Sequence, residues 1–253
     1  MTRRQQRAAF TLIELLVVMA IIAILVGLLM AGVQRVRVLG PQTENASRIS
    51  QIADAIGRCK NDLKLSYIPA GGNFRIKSSY AATDAELDVL LRAFPNMNLS
   101  ATGYAGPTLT LDGNQTLCFF LTGGGVTNFT GFSNNPTSPF SGGGTTRKGP
   151  WLEPNTKLFG AGTGGQPWLV DVYGMPYAYF AAVDGKAGGY TGQTYGTCSP
   201  YTSGGRIMNE SGFQIISSGR DKAFGAGGAL PATGAAEDNQ SNFSSYVLGG
   251  RLD

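Results

Sequence analysis

The chain contains no histidine among its 253 residues. This absence excludes Ser-His-Asp and Cys-His nucleophilic sites, and every metal site built on imidazole ligands. Charged residues are also scarce, at 14% of the chain against roughly 25% in a typical soluble domain. Three of the charges behind the net +4 are Arg3, Arg4 and Arg7, so the rest of the chain is nearly neutral. We therefore expect no nucleic-acid partner, because such partners need an extended basic surface.

Cysteine is rare as well, with only Cys59, Cys118 and Cys198. Cys59 and Cys118 fall within apolar helical patterns, which favours buried small hydrophobic side chains over metal ligands. Three cysteines allow one disulfide at most, in an oxidising compartment, and the sequence does not determine the pair. Glycine, in contrast, occupies 37 positions, which is about twice its average usage and predicts many loops.

A long apolar run dominates the N-terminal part of the chain. It extends without a charge over 19 residues, from Leu15 to Val33, and as a helix it would span about 28 Å, close to a bilayer core. Basic residues precede it, so we expect the N-terminus to stay cytoplasmic and the bulk of the chain to cross the membrane. A secretory signal peptide would have a shorter apolar region and an A-x-A-like cleavage site, which does not follow here. A plain signal anchor is the other alternative.

Glu14 argues against a plain anchor. It lies four positions into the apolar stretch that begins at Phe10. A lone carboxylate within hydrocarbon costs on the order of a few kcal/mol unless it is paired or neutralised. The helix offers no basic residue within one turn downstream, whereas cleavage just before Phe10 would create a free amino group nearby.

The residues from Arg7 to Val18, RAAFTLIELLVV, resemble the leader and N-terminus of type IV pilins and type II secretion pseudopilins. The resemblance implies that a prepilin peptidase cuts between Ala9 and Phe10 and methylates the new N-terminus. It also implies that Glu14 pairs with the N-terminus of a neighbouring subunit in a filament. Ala9 stands where the family usually has glycine, and the next smallest side chain is compatible with slower cleavage.

Beyond the apolar run the pattern becomes amphipathic. Apolar residues recur at spacings of three and four, at Ile49, Ile52, Ile56, Cys59 and Leu63. This spacing is typical of one face of an α-helix. We expect one long helix from Phe10 to about Leu65, bent or interrupted at Gly40-Pro41, whose second half packs on a globular head.

Shorter elements are predicted after this helix. A second helix is expected from Thr83 to Phe94, with Thr83 or Asp84 as its cap and Pro95 as its stop. A third helix is expected from Gln115 to Leu121. Residues 122–167 are rich in glycine, proline and small polar residues, which predicts a long surface insertion; five aromatic residues in it suggest that it packs on the head.

Three strands are expected in the C-terminal half, at Trp168–Val172, Tyr177–Val183 and Phe213–Ser217. Closely spaced turn residues between them favour an antiparallel sheet. The predicted fold class is therefore α+β, with a long N-terminal helix packed on a small antiparallel sheet and a loop-rich C-terminus. The glycines at residues 160–165 match GxGxxG, but they lead into a strand rather than a helix, which argues against a dinucleotide site.

Three C-terminal segments resemble the major pseudopilin of type II secretion. They are Asp171–Tyr179, Phe213–Asp221 and Glu237–Phe243. In that family they fold a loop around one Ca²⁺, and the resemblance implies Asp221, Asp238 and Asn239 as ligands, with Glu237 as an alternate. Such oxygen donors are the ones that Ca²⁺ prefers. The alternative is a solvated acidic turn, since Lys222 and Asn239 replace the family's usual glycine and aspartate.

These patterns divide the chain into a leader (1–9), a membrane helix (10–33), an amphipathic helix (34–66) and a periplasmic head (67–253). The head would include the insertion at about 122–167 and a C-terminal loop at about 218–243.

The resemblance implies a structural subunit rather than an enzyme, anchored in the bacterial inner membrane. A prepilin peptidase would process it, and an inner-membrane assembly platform would build it with other pilin-like subunits into a type II secretion pseudopilus. A type IV pilus-like surface filament is one alternative, and a membrane-anchored periplasmic enzyme or binding protein is another.

Overall fold

The computed structural model describes residues 11–124, 129–144, 146–153, 157–162 and 165–250. They form an α+β fold, as expected, in which three α-helices are combined with small sheets of short strands. By internal packing the chain divides into two compact units, Met1–Thr43 and Glu44–Asp253.

Helix α1 runs from Leu12 to Leu63 and is the longest element, with 52 residues. The expected start at Phe10 lies outside the described residues, and the end agrees within two positions. Of the bend or interruption expected at Gly40-Pro41, the interruption was wrong, because the α-helix continues through Pro41. Proline lacks the N–H that would bond the carbonyl four residues earlier, but the bonds of its neighbours on either side can maintain the helix.

The amphipathic stripe of α1 is buried as predicted. All five of its apolar residues are at most 2% exposed: Ile49, Ile52, Ile56, Cys59 and Leu63. They belong to the larger of two hydrophobic cores, which also includes helices α2 (Leu87–Ala93) and α3 (Gly113–Thr122). At the start of this packed stretch, Asn45 accepts a hydrogen bond from Tyr177 Oη at 2.7 Å and donates one to Gln240 Oε1 at 2.9 Å.

Helix α2 is shorter than predicted, and neither Thr83 nor Asp84 caps it. The Asp84 carboxylate instead accepts hydrogen bonds from Lys77 Nζ at 2.7 Å, from Arg75 Nη2 at 3.1 Å and from the Ala81 N–H. These contacts hold it in a turn before the helix. The helix ends before Phe94, in agreement with the stop predicted at Pro95.

Helix α3 begins at a reciprocal capping box. The Asp112 carboxylate accepts from the Gln115 N–H at 2.7 Å, and Gln115 Oε1 accepts from the Asp112 N–H at 3.3 Å. The helix closes on Gly123, whose φ of +83° favours glycine. Phe119 on this helix contacts the rings of Phe132 and Phe140, and Trp151 contacts Phe132. All three of these aromatic residues of the segment 122–167 are buried. These parts of the expected insertion are core.

Within the described residues the strands are short and form five small sheets. In chain order they are β1 (Phe74–Ile76), β2 (Leu109–Leu111), β3 (Phe132–Ser133), β4 (Arg147–Lys148), β5 (Phe159–Gly160), β6 (Trp168–Leu169), β7 (Ala178–Ala181), β8 (Ser199–Ser203), β9 (Arg206–Ile207), β10 (Phe213–Ser217), β11 (Gly227–Ala229) and β12 (Gln240–Ser241). Antiparallel pairs join β1 to β2, β3 to β4, β5 to β6 and β8 to β9, whereas β8 and β11 are parallel. The parallel pair was not foreseen.

The central sheet of the C-terminal half has the order β12-β10-β7, with both pairs antiparallel. The predicted strand at Phe213–Ser217 has the observed bounds, and the other two predicted strands are shorter in the structure. One face of this region adds a second core around Tyr190, Tyr201 and Leu248.

All three cysteines are free and buried. The disulfide that the sequence allowed is therefore not formed in this fold. Burial raises the pKa of each thiol, and for Cys198 it raises the pKa to about 12.

Candidate processing and assembly site

Thr11 and Glu14 form a capping box at the start of α1. The Thr11 N–H and Oγ1 donate hydrogen bonds to Glu14 Oε2 at 2.9 and 2.8 Å, and the Glu14 N–H donates to Thr11 Oγ1 at 3.3 Å. This is the reciprocal arrangement of a Thr-x-x-Glu sequence, in which two N–H groups without helical partners are satisfied. The Glu14 carboxylate therefore has hydrogen-bond donors within its own chain.

Thr11 is a residue of this site that the sequence analysis did not identify. The expected partner of Glu14 was a cationic group, whereas the observed partner is Thr11, three residues upstream. The Thr11-x-x-Glu14 spacing at the edge of an apolar run is itself the signal of a helix start. Ala9 and Phe10, which flank the predicted cleavage point, lie outside the described residues.

The segment that follows is apolar and fully exposed within this chain. From Leu12 to Met30 every side chain is exposed, and the 19 residues are long and apolar enough to cross a membrane. In water such a surface would be strongly unfavourable at roughly 25 cal/mol per Å² of apolar area. Its length and composition fit membrane anchoring, with Glu14 near the end that faces the basic leader.

Asp171 organises the first of the three C-terminal segments. Its Oδ1 accepts from the N–H groups of Tyr173 and Met175, both at 2.9 Å, and its Oδ2 accepts from Ser217 Oγ at 2.7 Å. The carboxylate thus holds the turn before β7 and joins it to the end of β10. The side chain is buried, and burial raises its pKa above the usual 3.8 despite these hydrogen bonds.

The loop after β10 contains three buried oxygen atoms that make no hydrogen bond within the described part of the chain. They are Ser218 Oγ, Asp238 Oδ1 and Asn239 Oδ1. The other Asp238 oxygen accepts from the N–H groups of Arg220 and Asp221, and Asn239 Nδ2 donates to Tyr201 Oη and the Phe224 carbonyl. Buried acceptors without donors are uncommon, and hard oxygen donors of this kind are what a Ca²⁺ ion binds.

The other two predicted ligands are placed differently. The carboxylates of Asp221 and Glu237 are exposed and accept from nearby backbone N–H groups, of Ala223 and Gly234 respectively. In the described residues no three acidic or cysteine side chains converge in a way that could hold a metal ion. Any cation here would therefore be bound mainly by neutral oxygens with Asp238, and the side-chain hydroxyl of Ser218 would be one of them.

The backbone of this loop has two notable residues. Gly219 has φ of +69°, and a Cβ there would lie 2.4 Å from Asp238 Oδ1, so only glycine fits beside the carboxylate. Lys222 has φ of +62°. The resemblance placed glycine at this position, and the structure shows that the backbone has the conformation that favours it.

Comparison with known families identifies one match. Residues 4–30 match the family model for the prokaryotic N-terminal methylation motif. The match covers most of the basic leader, Thr11, Glu14 and most of the apolar run. No curated protein and no solved structure matches the chain. The matched N-terminal segment, together with the apolar helix, supports a type IV pilin or pseudopilin-like class.

Proposed function

We propose that this pilin-like precursor is a structural subunit of a type II secretion pseudopilus. The N-terminal methylation motif marks precursors that a prepilin peptidase processes, and it points to a structural subunit rather than an enzyme. The observation that carries the proposal is an apolar, exposed helix of membrane length that starts with a hydrogen-bonded carboxylate at Glu14. Cleavage between Ala9 and Phe10 would leave that carboxylate five residues into the mature chain.

The arrangement of the C-terminal half supports a pseudopilin over a surface pilin. The three segments that resemble the major pseudopilin include the start of β7 and all of β10 and β12, and these strands form one sheet. Ser217 pairs with Gln240 in this sheet and also donates its hydroxyl hydrogen bond to Asp171. Segments that are far apart in sequence are thus connected in space, as a shared functional element requires.

Glu14 would serve two states in this proposal. In the separate subunit its carboxylate is satisfied by Thr11, which lowers the penalty of a carboxylate at the membrane edge. In the filament it would pair with the methylated N-terminus of a neighbour, and that ion pair would offset the loss of lipid contacts. Because Thr11 and the N-terminus of the neighbour would both bind the same carboxylate, Glu14 could exchange one partner for the other when the subunit leaves the membrane and joins the filament.

A bound Ca²⁺ is part of the proposal for the loop after β10. Asp238 and Asn239, with Ser218, would hold it, and the ion would supply an electrostatic link between the loop and the sheet. The support is the presence of three buried acceptor oxygens without donors. Asp221 and Glu237, which the resemblance implies as ligands, would reach such an ion only if their turns rearranged.

Processing and assembly can be tested in the full-length protein with its own secretion or pilus machinery. We expect the intact mass of the membrane-extracted protein to show a chain that begins at Phe10 and carries one methyl group. A mature chain that begins elsewhere would refute the proposal.

The role of Glu14 is tested with two variants. We expect Glu14→Ala to be inserted and cleaved normally but to form no filaments. We expect Thr11→Val, which removes the capping hydroxyl but keeps the carboxylate, to retain assembly. Normal filaments from Glu14→Ala would contradict the proposed pairing, and filaments released from the cell surface instead of retained in the periplasm would favour a surface pilus.

A further inference from the structure

A cleft of about 1040 Å³ lies along the outer face of α1 within the unit Glu44–Asp253. Its floor is the helix face opposite the buried stripe, and its walls are the segment 150–153 and the start of β10. Residues that line it include Asp54, Gly57, Lys60, Trp151, Glu153 and Phe213. Polar and apolar side chains both contribute, so its occupant would need to present both kinds of surface.

One wall of the cleft is fixed to the helix. Arg58 donates a hydrogen bond to the Trp151 carbonyl at 2.8 Å, and Trp151 Nε1 donates to Asp62 Oδ2 at 2.6 Å. The Trp151 side chain is itself buried. The cleft is therefore a built feature of the fold, held open by contacts that run from α1 to the wall.

Gly57 lies in the floor of this cleft, and no contact within the described chain requires glycine at this position. Glycine weakens a helix interior, so it usually marks a close approach of another group. A Cβ built on Gly57 would meet no atom within 4 Å, and the helix there has ordinary φ. The missing side chain leaves space that nothing in the described chain uses, which points to a neighbour from outside.

The charges of the cleft are incompletely paired. Neither Asp54 nor Glu153 forms an ion pair with any described residue, while Arg58 is engaged with the Trp151 carbonyl. An exposed arginine with no ion pair among the described residues occurs earlier in the same helix, at Arg37. Three residues after it is Gly40, where a Cβ would also meet nothing within 4 Å.

Arg37 and Gly40 form one set of residues, and Asp54 and Gly57 form another with the same spacing. The two sets lie opposite each other at a single register of two parallel helices. If two copies of α1 lie parallel with a shift of 17 residues, Arg37 of one copy faces Asp54 of the other, and Gly40 faces Gly57. Both pairs have the same spacing of three residues, so they fall on one face of each helix. Glycine opposite glycine permits close helix approach, and an arginine opposite a carboxylate fixes the register.

We propose that the cleft binds the stretch of α1 around Arg37 and Gly40 from a second copy of this chain. The inference rests on the proposed filament function and names the contact through which successive subunits pack. A cleft on one surface that receives a different surface of the next copy is a heterologous contact, and repetition of such a contact generates an open filament.

Disulfide cross-linking tests the register directly in membranes of cells that assemble the filament. We expect a chain carrying both Gly40→Cys and Gly57→Cys to give a ladder of covalent multimers under mild oxidation. The matched control carries Gly40→Cys with Thr110→Cys, which places the second thiol on an exposed strand residue outside the cleft. The native cysteines are buried and free, so they should contribute little background.

Two further sets of variants test the contact itself. Gly57→Leu fills the cleft and strengthens the helix, so we expect normal cleavage, an unchanged or higher melting temperature and loss of filaments, whereas Thr110→Leu keeps them. We expect Arg37→Glu and Asp54→Arg each to lose assembly and the double exchange to restore it.

The outcomes separate this inference from the function on which it rests. A ladder specific to the Gly40 and Gly57 positions, together with loss of filaments in Gly57→Leu, supports the proposal. If the wild type forms filaments but Gly57→Leu does so equally, the inference is wrong and the filament function stands. If Gly57→Leu fails but no ladder forms, a different protein occupies the cleft, which also overturns the proposal. If the cleaved wild type never self-associates, both fall.

Discussion

The buried carboxylate of Asp171 offers a quantitative test of how the C-terminal half is held together. It is 2% exposed and accepts three hydrogen bonds, from Tyr173, Met175 and Ser217. Asp171→Ala would leave three donors without an acceptor, of which the two backbone N–H groups are only half-buried and can be partly satisfied by water. At about 1–1.5 kcal/mol for each bond, we expect a loss of about 2–4 kcal/mol in the free energy of unfolding.

Asp171→Asn separates the hydrogen bonds from the charge. The amide oxygen can accept from both backbone N–H groups, and the amide nitrogen can donate to Ser217 Oγ, so we expect a change within about 1 kcal/mol at neutral pH. Thermal unfolding of the head in chelator, followed by circular dichroism, measures both variants. At roughly 2–4 °C per kcal/mol for a domain of this size, Asp171→Ala should melt about 5–15 °C lower than the wild type.

The difference in stability between the wild type and Asp171→Asn should change with pH in a definite direction. Burial raises the pKa of Asp171 in the folded chain above 3.8, so folding favours the protonated form. The contribution of this group to stability is therefore complete below about pH 3.8 and is lost as the pH rises through the folded-state pKa. We expect Asp171→Asn to gain stability relative to the wild type over that rise. A constant difference between the two proteins from pH 3 to pH 7, or an Asn variant as unstable as the Ala variant, would refute this account.

Three further predictions concern the loop after β10 and the cysteines. Lys222→Gly should raise the free energy of unfolding by about 0.5–1 kcal/mol, because Lys222 has φ of +62° and glycine adopts this conformation without strain; Lys222→Ala is the control and should give no such gain. Calcium at 100 times its Kd should stabilise the head by about 2.7 kcal/mol relative to the same protein in chelator. Asp238→Asn should reduce that gain more than Asp221→Asn, because Asp238, unlike Asp221, has a buried oxygen without a donor. An identical melting temperature with and without millimolar calcium would count against a bound ion. The full-length protein in detergent should react with a thiol reagent at none of its cysteines when folded and at all three when denatured, because Cys59, Cys118 and Cys198 are buried; fast reaction of the folded protein would contradict this packing.

Patterns that depend on neighbours along the chain were predictable from the sequence. The buried stripe of α1 follows from its spacing of three and four residues, and β10 follows from the apolar run FQIIS. The predicted start of α2 was wrong because Asp84 forms ion pairs with Arg75 and Lys77 instead of capping the helix. Local sequence propensities do not reveal such contacts. The aromatic residues of the segment 122–167 predicted packing on the head, but its glycine and proline content did not reveal that Phe132 and Trp151 lie in the core.

The candidate site shows the same division. The methylation motif is continuous in sequence, and Thr11 could have been identified from the Thr-x-x-Glu spacing. The orphan oxygens of Ser218, Asp238 and Asn239 could not, because their burial depends on Tyr201, Phe224 and other residues of the second core. Sequence similarity to an acidic segment identified the loop. The structure shows which of its predicted ligands have buried oxygens, namely Asp238 and Asn239, and which are exposed, namely Asp221 and Glu237.

The hydrogen bonds of Asn45 have a mechanical consequence. If a subunit were pulled through its N-terminal helix, tension would pass along α1 to Asn45, the first buried residue among the described side chains of that helix. Because Asn45 is bonded to Tyr177 next to β7 and to Gln240 in β12, the load is divided between two elements of one sheet. Detachment of the helix would require the loss of both hydrogen bonds and of the contacts of the buried stripe behind them.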